Sequence, residues 1–126
     1  MNERRISLAT SSMYQKRWTI NSIKNFMRVL NTPNILLEYG GFFLNKPALL
    51  AASGPSLEDE IENLMTVKEN GLAYIVSVGT ALNALIKHGI HPDFACTYDP
   101  SEENQIVCQE VLKKGINTIP LVFGST

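Results

Sequence analysis

Apolar and polar residues alternate along most of the chain in a way that predicts strands and helices in turn. Short apolar runs rich in β-forming residues occur at residues 47–53, 72–78, 93–99 and 118–123. Each of the first three runs precedes a segment whose apolar residues recur at helical spacing. Strands that alternate with helices of this length are typical of a parallel sheet with right-handed crossovers. The pattern therefore predicts an α/β fold of about four strands, in the order β-α-β-α-β-α-β.

The individual runs also predict where some strands lie in the sheet. The first run, PALLAAS, is apolar almost throughout, which is typical of a strand buried on both faces. Pro120 interrupts the fourth run, and proline cannot donate a hydrogen bond to a neighbouring strand. This strand should therefore start late or lie at an edge. The chain ends in FGST, where Ser125 or Thr126 would cap a further helix, so we expect a fragment of a larger protein.

Residues 1–45 have a different pattern and are predicted to form a helical arm followed by an irregular connection. One apolar stripe of a helix is indicated by the i, i+3, i+4, i+7 spacing of Ile23, Phe26, Met27 and Leu30. Residues 3–17 are predicted as a second, weaker helix, and the Gly40-Gly41 pair predicts a turn. We therefore divide the chain into the arm at 1–45 and an α/β domain at 46–126.

Charge is distributed unevenly between these two parts. Residues 1–30 carry six bases and one acid, whereas residues 31–126 carry five bases and eleven acids. The arm is either a solvated helix beside an acidic domain, or a segment that binds nucleic acid or anionic lipid. Its bases are scattered along the helix rather than clustered, which favours the first interpretation. We therefore do not expect nucleic acid as a partner.

Composition excludes several other classes of protein. No apolar run approaches the ~20 residues of a membrane-spanning helix, and the N-terminus lacks the apolar core of a secretory signal. We therefore expect a cytoplasmic protein. Cys96 and Cys108 do not form a CxxC pair, so they indicate reduced thiols rather than a zinc or redox motif.

Candidate ligand-binding residues follow the predicted strands, because ligands of open parallel sheets bind beyond the carboxyl ends of the strands. Glycine lets a ligand approach the backbone closely, and a hydroxyl at a helix start lies beside backbone N–H groups that suit a phosphate. An acid at this edge is well placed for Mg²⁺ or a ribose hydroxyl. The candidates are Ser53, Gly54, Pro55, Ser56, Gly79, Thr80 and Asp99.

The same residues also have purely structural interpretations. Ser56 with Asp59 three residues later resembles a helix-capping box, and Gly79-Thr80 resembles a plain helix cap. The acids at 58–60 would repel an anion if they pointed towards it. The segment lacks the GK[ST] of a Walker A loop and does not match GxGxxG. Tyr98 is predicted as a packing residue.

Two longer segments, KPALLAASGPSLEDEIENL and YIVSVGTALNALIKHGIHPDFACTYDP, resemble a known family. They are similar to the core of the motility-associated factor family, bacterial proteins linked to flagellin glycosylation, which is related to the archaeal-type 6-hydroxymethylpterin diphosphokinase. The matching elements are GPSL after the first strand, AL..L...GI.PDF after the second and DP after the third. GPSL also resembles the CMP-binding turn of bacterial sialyltransferases.

The resemblance implies a Rossmann-like domain that transfers a pseudaminic or legionaminic type of sugar from a CMP-sugar to Ser or Thr of flagellin. By position, Gly54, Pro55 and Ser56 would hold the phosphate or ribose of the nucleotide. The Gly79-Thr80 turn would line the same cleft, and Asp99 would lie at its floor as the catalytic or Mg²⁺-binding acid.

One departure bears on the reaction. The pterin diphosphokinases carry two acids near a DxD at the third strand end, whereas this chain has only Asp99 there, after Tyr98. We therefore expect displacement of CMP at the anomeric carbon, with helix N-termini stabilising the departing phosphate. Two alternatives remain open. They are a Mg²⁺- and ATP-dependent pyrophosphokinase, and a non-catalytic module that binds a partner through the arm.

Overall fold

A computed structural model describes residues 2–99 and 101–124, without the side chains of residues 2–13. The predicted cap at Ser125 or Thr126 lies outside the described residues. The strands are β1 (Ala48–Ala52), β2 (Tyr74–Val78), β3 (Phe94–Thr97) and β4 (Leu121–Phe123). The helices are α1 (Asn2–Leu30), α2 (Ile35–Glu38), α3 (Pro55–Asp59), α4 (Ile61–Glu69), α5 (Ala81–Lys87) and α6 (Gln109–Lys113), with a 3₁₀ helix at Glu102–Cys108.

The four strands form one parallel sheet in the order β1-β2-β3-β4, which confirms the predicted fold class. Every connection between neighbouring strands passes through at least one helix. Proline at position 120 has the predicted effect, since β4 begins only at Leu121 and lies at an edge of the sheet.

The crossover helices pack on one face of the sheet. Ala51 of β1 is level with Ser77 of β2, and Ser77 is level with Ala95 of β3, so these side chains share a face. Ala51 packs with α3, α4 and α5 in one apolar cluster, and Ala95 packs with α5 and the 102–113 segment in a second cluster. This is the arrangement expected when right-handed crossovers all progress in one direction along a sheet.

The composition of β1 predicts a strand that is buried on both faces. In the structure, β1 is covered on one face only. Only Ala51 is buried, whereas Leu49 is 40% and Leu50 is 75% exposed. The reason is topological: β1 pairs with β2 alone among the described strands, and the crossover helices lie on one face. A sequence pattern reports that a strand is apolar, but its position within the sheet decides whether both faces are covered.

The N-terminal arm forms a single helix instead of the two predicted. No glycine or proline lies between residues 3 and 30, so nothing in the sequence interrupts the hydrogen-bonding pattern. The half-buried side of α1 carries Tyr14, Trp18, Asn21, Ser22, Asn25 and Val29. The apolar stripe identified in the sequence lies on the opposite side and is exposed to solvent.

The connection after α1 covers the amino ends of the central strands with aromatic rings. Tyr39 packs edge-on against Phe94 with ring centroids 5.7 Å apart, and Phe43 packs against Tyr74 at 5.3 Å. The ammonium group of Lys46 lies 4.0 Å from the ring centroid of Phe42. This cluster fills the amino edge of the sheet, and leaves the carboxyl edge as the open one.

Candidate functional site

Two turns at the carboxyl edge are joined by a direct contact between hydroxyl groups. The Ser53 Oγ lies 2.7 Å from the Thr80 Oγ1, although the two residues are 27 positions apart in the sequence. Ser53 follows β1 and Thr80 follows β2, and both residues are exposed. The parallel pairing of β1 with β2 ends level at Ala52 and Val78, which brings the two turns side by side.

A cleft of about 420 Å³ opens between the ends of β2 and β3. Its polar lining comprises Thr80, Thr97, Asp99, Glu103 and Asn104, and its apolar lining comprises Val78, Cys96, Tyr98, Ile106 and Val107. Gly79 lies between the two sets. Three of the predicted residues, Gly79, Thr80 and Asp99, therefore line one cleft, and Ser53 reaches it through Thr80.

A larger cavity of about 530 Å³ lies between the end of α1 and β4. It is lined mainly by apolar and backbone groups, with Glu38 as its one charged residue within the described chain. We place the candidate site at the smaller cleft, because it lies at the carboxyl ends of β2 and β3 and is lined by Gly79, Thr80 and Asp99.

Gly79 is required by the backbone conformation of the turn. Its φ of +57° lies in the left-handed region, which residues other than glycine rarely adopt. Its N–H donates to the Cys96 carbonyl at 2.9 Å, which ties the turn after β2 to β3. Thr80 follows at the start of α5, yet its side chain makes no capping hydrogen bond. Thr80 is the N-cap residue of α5, as the cap interpretation predicts, but its hydroxyl contacts Ser53 instead of a helical N–H.

Gly54 behaves differently. Its backbone is extended, with φ −177° and ψ 164°, a conformation open to any residue. A Cβ added there would meet only the Ser56 Oγ, at 4.0 Å. Neither backbone strain nor crowding within the described chain therefore requires glycine at this position. Close approach of a ligand remains as a reason for it.

The capping-box interpretation of Ser56 is wrong. Gly54 is the N-cap of α3 and Pro55 is its first residue, so Ser56 lies inside the helix. Proline suits the first helical position because its fixed φ matches the helix and its missing N–H would have no partner there. Pro55 therefore offers no N–H to a ligand. Ser56 lines a separate apolar groove beside β1, together with Leu49 and Leu50.

The acids at 58–60 make contacts outside the cleft. The Glu58 carboxylate lies 3.2 Å from the His88 imidazole, and Glu60 accepts a hydrogen bond from Asn63 at 2.7 Å. None of these acids lines the cleft. They therefore do not oppose an anion bound at Thr80.

Asp99 is exposed at the end of β3 and accepts a hydrogen bond from the Ser101 N–H at 2.8 Å. The backbone and side chain of Ser101 lower the pKa of Asp99 below its ordinary 3.8, and the positive charge of Arg17 adds to this effect. Asp99 is therefore ionised at neutral pH. A general base works best when its pKa lies near the operating pH. The Asp99 carboxylate is therefore better suited to accept a hydrogen bond from a hydroxyl group or to bind a cation.

Sequence reasoning missed three polar residues of the cleft. Thr97 donates a hydrogen bond to the Asn104 side chain, and Glu103 lines the cleft from the same 3₁₀ helix as Asn104. Thr97 could have been found, because it lies two residues before Asp99 in an alternating strand. Asn104 and Glu103 could not have been found in this way, because the spacing of apolar residues in a helix does not indicate which of its turns lies over the end of a strand.

Tyr98 is not the packing residue predicted. It is 72% exposed and forms part of the apolar lining of the cleft beside Cys96 and Val78. Burial raises the pKa of both Cys96 and Cys108, so both thiols are protonated at neutral pH.

The donor set fits a Mg²⁺ ion only in company with a ligand. Residues 2–99 and 101–124 contain no group of three or more His, Cys, Asp or Glu side chains placed to hold a metal. Asp99 and Glu103 nevertheless line the same cleft. Mg²⁺ is commonly held by one or two carboxylates plus the phosphates of a substrate, and Asp99 and Glu103 are the two carboxylate residues in the lining of this cleft.

None of the helices in the described part of the chain is both long and apolar enough to cross a membrane. This agrees with the absence of a spanning segment in the sequence pattern.

Comparison with known proteins places this cleft in context. A family model described as 6-hydroxymethylpterin diphosphokinase MptE-like matches residues 19–126. Among solved structures, that of the MAf glycosyltransferase from Magnetospirillum magneticum AMB-1 is similar, with 27% sequence identity and a TM-score of 0.56. The similarity covers 65% of this chain and 13% of that one. No curated protein matches the chain. These findings confirm the family relation that the sequence predicts.

Proposed function

The chain belongs to the 6-hydroxymethylpterin diphosphokinase MptE-like family, and on this premise we propose that its carboxyl-edge cleft binds the nucleotide of a CMP-linked sugar donor. The domain would act within a glycosyltransferase that moves a pseudaminic or sialic type of sugar to flagellin. The similarity to the MAf glycosyltransferase supports the reaction class. Because the chain spans 13% of that protein, the activity of the whole enzyme and its acceptor are part of the proposal.

The observation that supports the proposal most is the contact between the hydroxyl groups of Ser53 and Thr80 beside the cleft. Hydroxyls on neighbouring turns can donate hydrogen bonds to the oxygens of one phosphate or accept bonds from a ribose. The two turns are held level by the β1–β2 register, so both hydroxyls are in place before a ligand arrives. The Ser53–Thr80 contact brings the turn after β1 beside the turn after β2.

Sugar transfer needs little covalent chemistry from this domain. The bond between the anomeric carbon and the phosphate oxygen breaks, and CMP leaves with the electron pair. A hydroxyl oxygen of the acceptor then forms the new bond and loses its proton to a base outside the assigned residues. The residues of the cleft hold the nucleotide and stabilise the negative charge on the departing phosphate. Helices α3 and α5 are only five and seven residues long, so hydroxyl groups would matter more here than helix dipoles.

Tyr98 supplies a surface for the base of the nucleotide. Its exposed ring lines the cleft together with the apolar residues Val78 and Cys96 and the polar residues Thr80 and Asp99. A nucleotide likewise combines a flat base with a charged phosphate. Stacking of a base on an aromatic ring contributes about 1–3 kcal/mol in single-stranded nucleic-acid complexes, so the contact would be measurable.

A second candidate is a Mg²⁺- and ATP-dependent diphosphokinase, as the description of the family suggests. The specific observation in its favour is Glu103, which supplies the cleft with a second carboxylate beside Asp99. Sequence reasoning counted only one acid at this strand end. When bound with a nucleotide, Mg²⁺ would neutralise charge on the transferring phosphates, and Asp99 and Glu103 would hold it.

Thermal unfolding with added nucleotides separates the two candidates. A ligand at about 100 times its Kd stabilises the folded state by about 2.7 kcal/mol, which is readily seen as a rise in Tm. A rise with CMP and CTP that needs no Mg²⁺ supports the sugar-donor site, and a rise with ATP only when Mg²⁺ is present supports the diphosphokinase. Absence of any rise at millimolar nucleotide contradicts both.

Paired variants test whether the ligand occupies this cleft. We expect Thr80→Val to reduce the affinity for CMP, because it removes a hydroxyl while keeping the shape of the side chain. Tyr98→Ala should weaken CMP but not ribose 5-phosphate, and Tyr98→Phe should bind both as the wild type does. Leu112→Ala serves as the control, since Leu112 is 76% exposed on α6, outside the cleft lining.

A further inference from the structure

The outward side of α1 carries an apolar stripe that no other described residue covers. The stripe consists of Ile20, Ile23, Phe26, Met27 and Leu30, which are between 40% and 72% exposed. Over its ten-residue rise it is about 15 Å long. Four bases and no acid occur in residues 14–30, and all four bases are exposed. The helix therefore presents an apolar surface that is flanked by positive charge along one side.

A second apolar surface lies at the opposite edge of the sheet. A groove of about 400 Å³ runs along β1 and is walled by α3 and α4; we call it the edge groove. Leu49, Leu50, Leu57, Leu64 and Val67 are among its lining residues. Five residues of β1 extend over about 16 Å, which matches the length of the stripe on α1.

Charge on the two surfaces is opposite. Residues 57–62 carry four acids and no base, and these acids are exposed beside the groove, with Glu60 in its lining. Residues 14–30 of the helix, in contrast, carry four bases and no acid. The opposed charges would steer one surface towards the other and would set the direction in which the helix lies.

The helix of the same chain does not fill the groove. Val29 and Thr32 line a cavity with Pro120 and Val122, which places the end of α1 beside β4. Strands β1 and β4 are the two edges of a four-stranded sheet and lie about 14 Å apart. Each copy of the chain therefore brings a free helix surface at one edge and a free groove at the other.

We propose that the partner of both surfaces is a second copy of this chain, with α1 of one copy lying in the edge groove of the next. An exposed edge strand invites pairing with other chains, and covering it with a helix is one of the ways in which proteins protect it. The contact joins two different surfaces, so it is heterologous rather than symmetric about itself.

Two single substitutions test the contact, each at an exposed position where folding does not depend on the side chain. Met27→Glu places an acid on the stripe, and Leu49→Lys places a base in the acidic groove, because Leu49 lies on the same face of β1 as Ala51. The matched control is Leu112→Lys, because Leu112 is also exposed but lies on α6, outside the groove lining. Circular dichroism checks that all three variants are folded.

Sedimentation velocity at about 100 μM, where a micromolar contact is largely formed, gives the outcome. We expect the wild type and Leu112→Lys to associate and each of the other two variants to be monomeric. An equal mixture of Met27→Glu and Leu49→Lys should form a dimer that grows no further, because one intact helix then meets one intact groove. A monomeric wild type, association of either single variant, or a mixture that stays monomeric would each overturn the proposal.

Cross-linking of the unsubstituted chain gives an independent test. Isotopically light and heavy copies are mixed and treated with a zero-length carbodiimide reagent. We expect light-to-heavy links between Lys24 of α1 and Glu60 or Glu62 beside the groove. Links confined to single copies would contradict the contact.

Discussion

The two glycines of the candidate site should respond in opposite ways to the same substitution. Gly79 has a φ of +57°, and an alanine forced into this region costs about 1–2 kcal/mol. Restricting the unfolded chain returns about 0.4–1 kcal/mol, so Gly79→Ala should destabilise the protein by about 1 kcal/mol net. For a domain of this size, that corresponds to a fall in Tm of roughly 3–5 °C.

Gly54→Ala should restrict the unfolded chain without straining the folded one, so only the stabilising contribution applies. The backbone at Gly54 is extended and a Cβ has no neighbour closer than 4.0 Å, so the native state is not strained. The variant should be as stable as the wild type or more stable by about 0.4–1 kcal/mol. Gly54→Val should also fold, because the residue before a proline favours extended backbone and valine adopts it readily.

The assay is thermal unfolding of both alanine variants, followed by titration of each Gly54 variant with CMP. We expect Gly54→Val to bind CMP at least tenfold more weakly than the wild type, with Gly54→Ala in between. Equal Tm changes for the two alanine variants would refute the reasoning from backbone conformation. Unchanged CMP affinity in Gly54→Val would refute close approach of a ligand as the reason for this glycine.

Three further predictions concern other groups around the cleft. Because the pKa of Asp99 lies below 3.8, its charge is present above that pH and lost only as the pH falls through the lowered value. In titration calorimetry, Asp99→Asn should therefore weaken CMP or Mg²⁺-nucleotide binding by a factor that stays constant from pH 8 to about pH 5, because the ligand phosphate, which titrates at about pH 6, affects both proteins alike. Cys96 lines the cleft and Cys108 does not, so nucleotide should slow alkylation of Cys96 alone, as followed by peptide mass spectrometry; equal protection of both thiols would contradict the site. The Asn83 side chain donates to the Ile106 carbonyl at 2.6 Å and accepts from the Glu110 N–H at 3.0 Å, so Asn83→Ala should lower the free energy of unfolding by about 1–3 kcal/mol in urea.

Much of the fold could be predicted from the sequence, because local physics decides it. The alternation of apolar runs and helical spacing determines the β-α order, and right-handed crossovers then make the sheet parallel. Pro120 determines where β4 starts, since it cannot donate a hydrogen bond to a neighbouring strand. The same topology places Gly79, Thr80 and Asp99 at one edge of the sheet.

The predictions that were wrong depended on contacts between distant residues. The apolar stripe of α1 is genuine, but the helix lies with Tyr14 and Trp18 on its half-buried side and leaves Met27 67% exposed. Strand β1 reads as buried because it is apolar, yet it lies at an edge where Leu50 remains exposed. Periodicity determines that an element has an apolar side; it does not determine which surface that side meets.

The sequence by itself determined the strands, the parallel order and the turns that end at the carboxyl edge, since each depends on residues near one another in the chain. Only the tertiary structure decided which side chains share the cleft. Ser53 joins Thr80 across 27 residues because β1 and β2 end level, and Asn104 and Glu103 enter because a 3₁₀ helix folds over the end of β3. Such meetings depend on register and on the path of a connection, and neither leaves a periodic trace in the sequence.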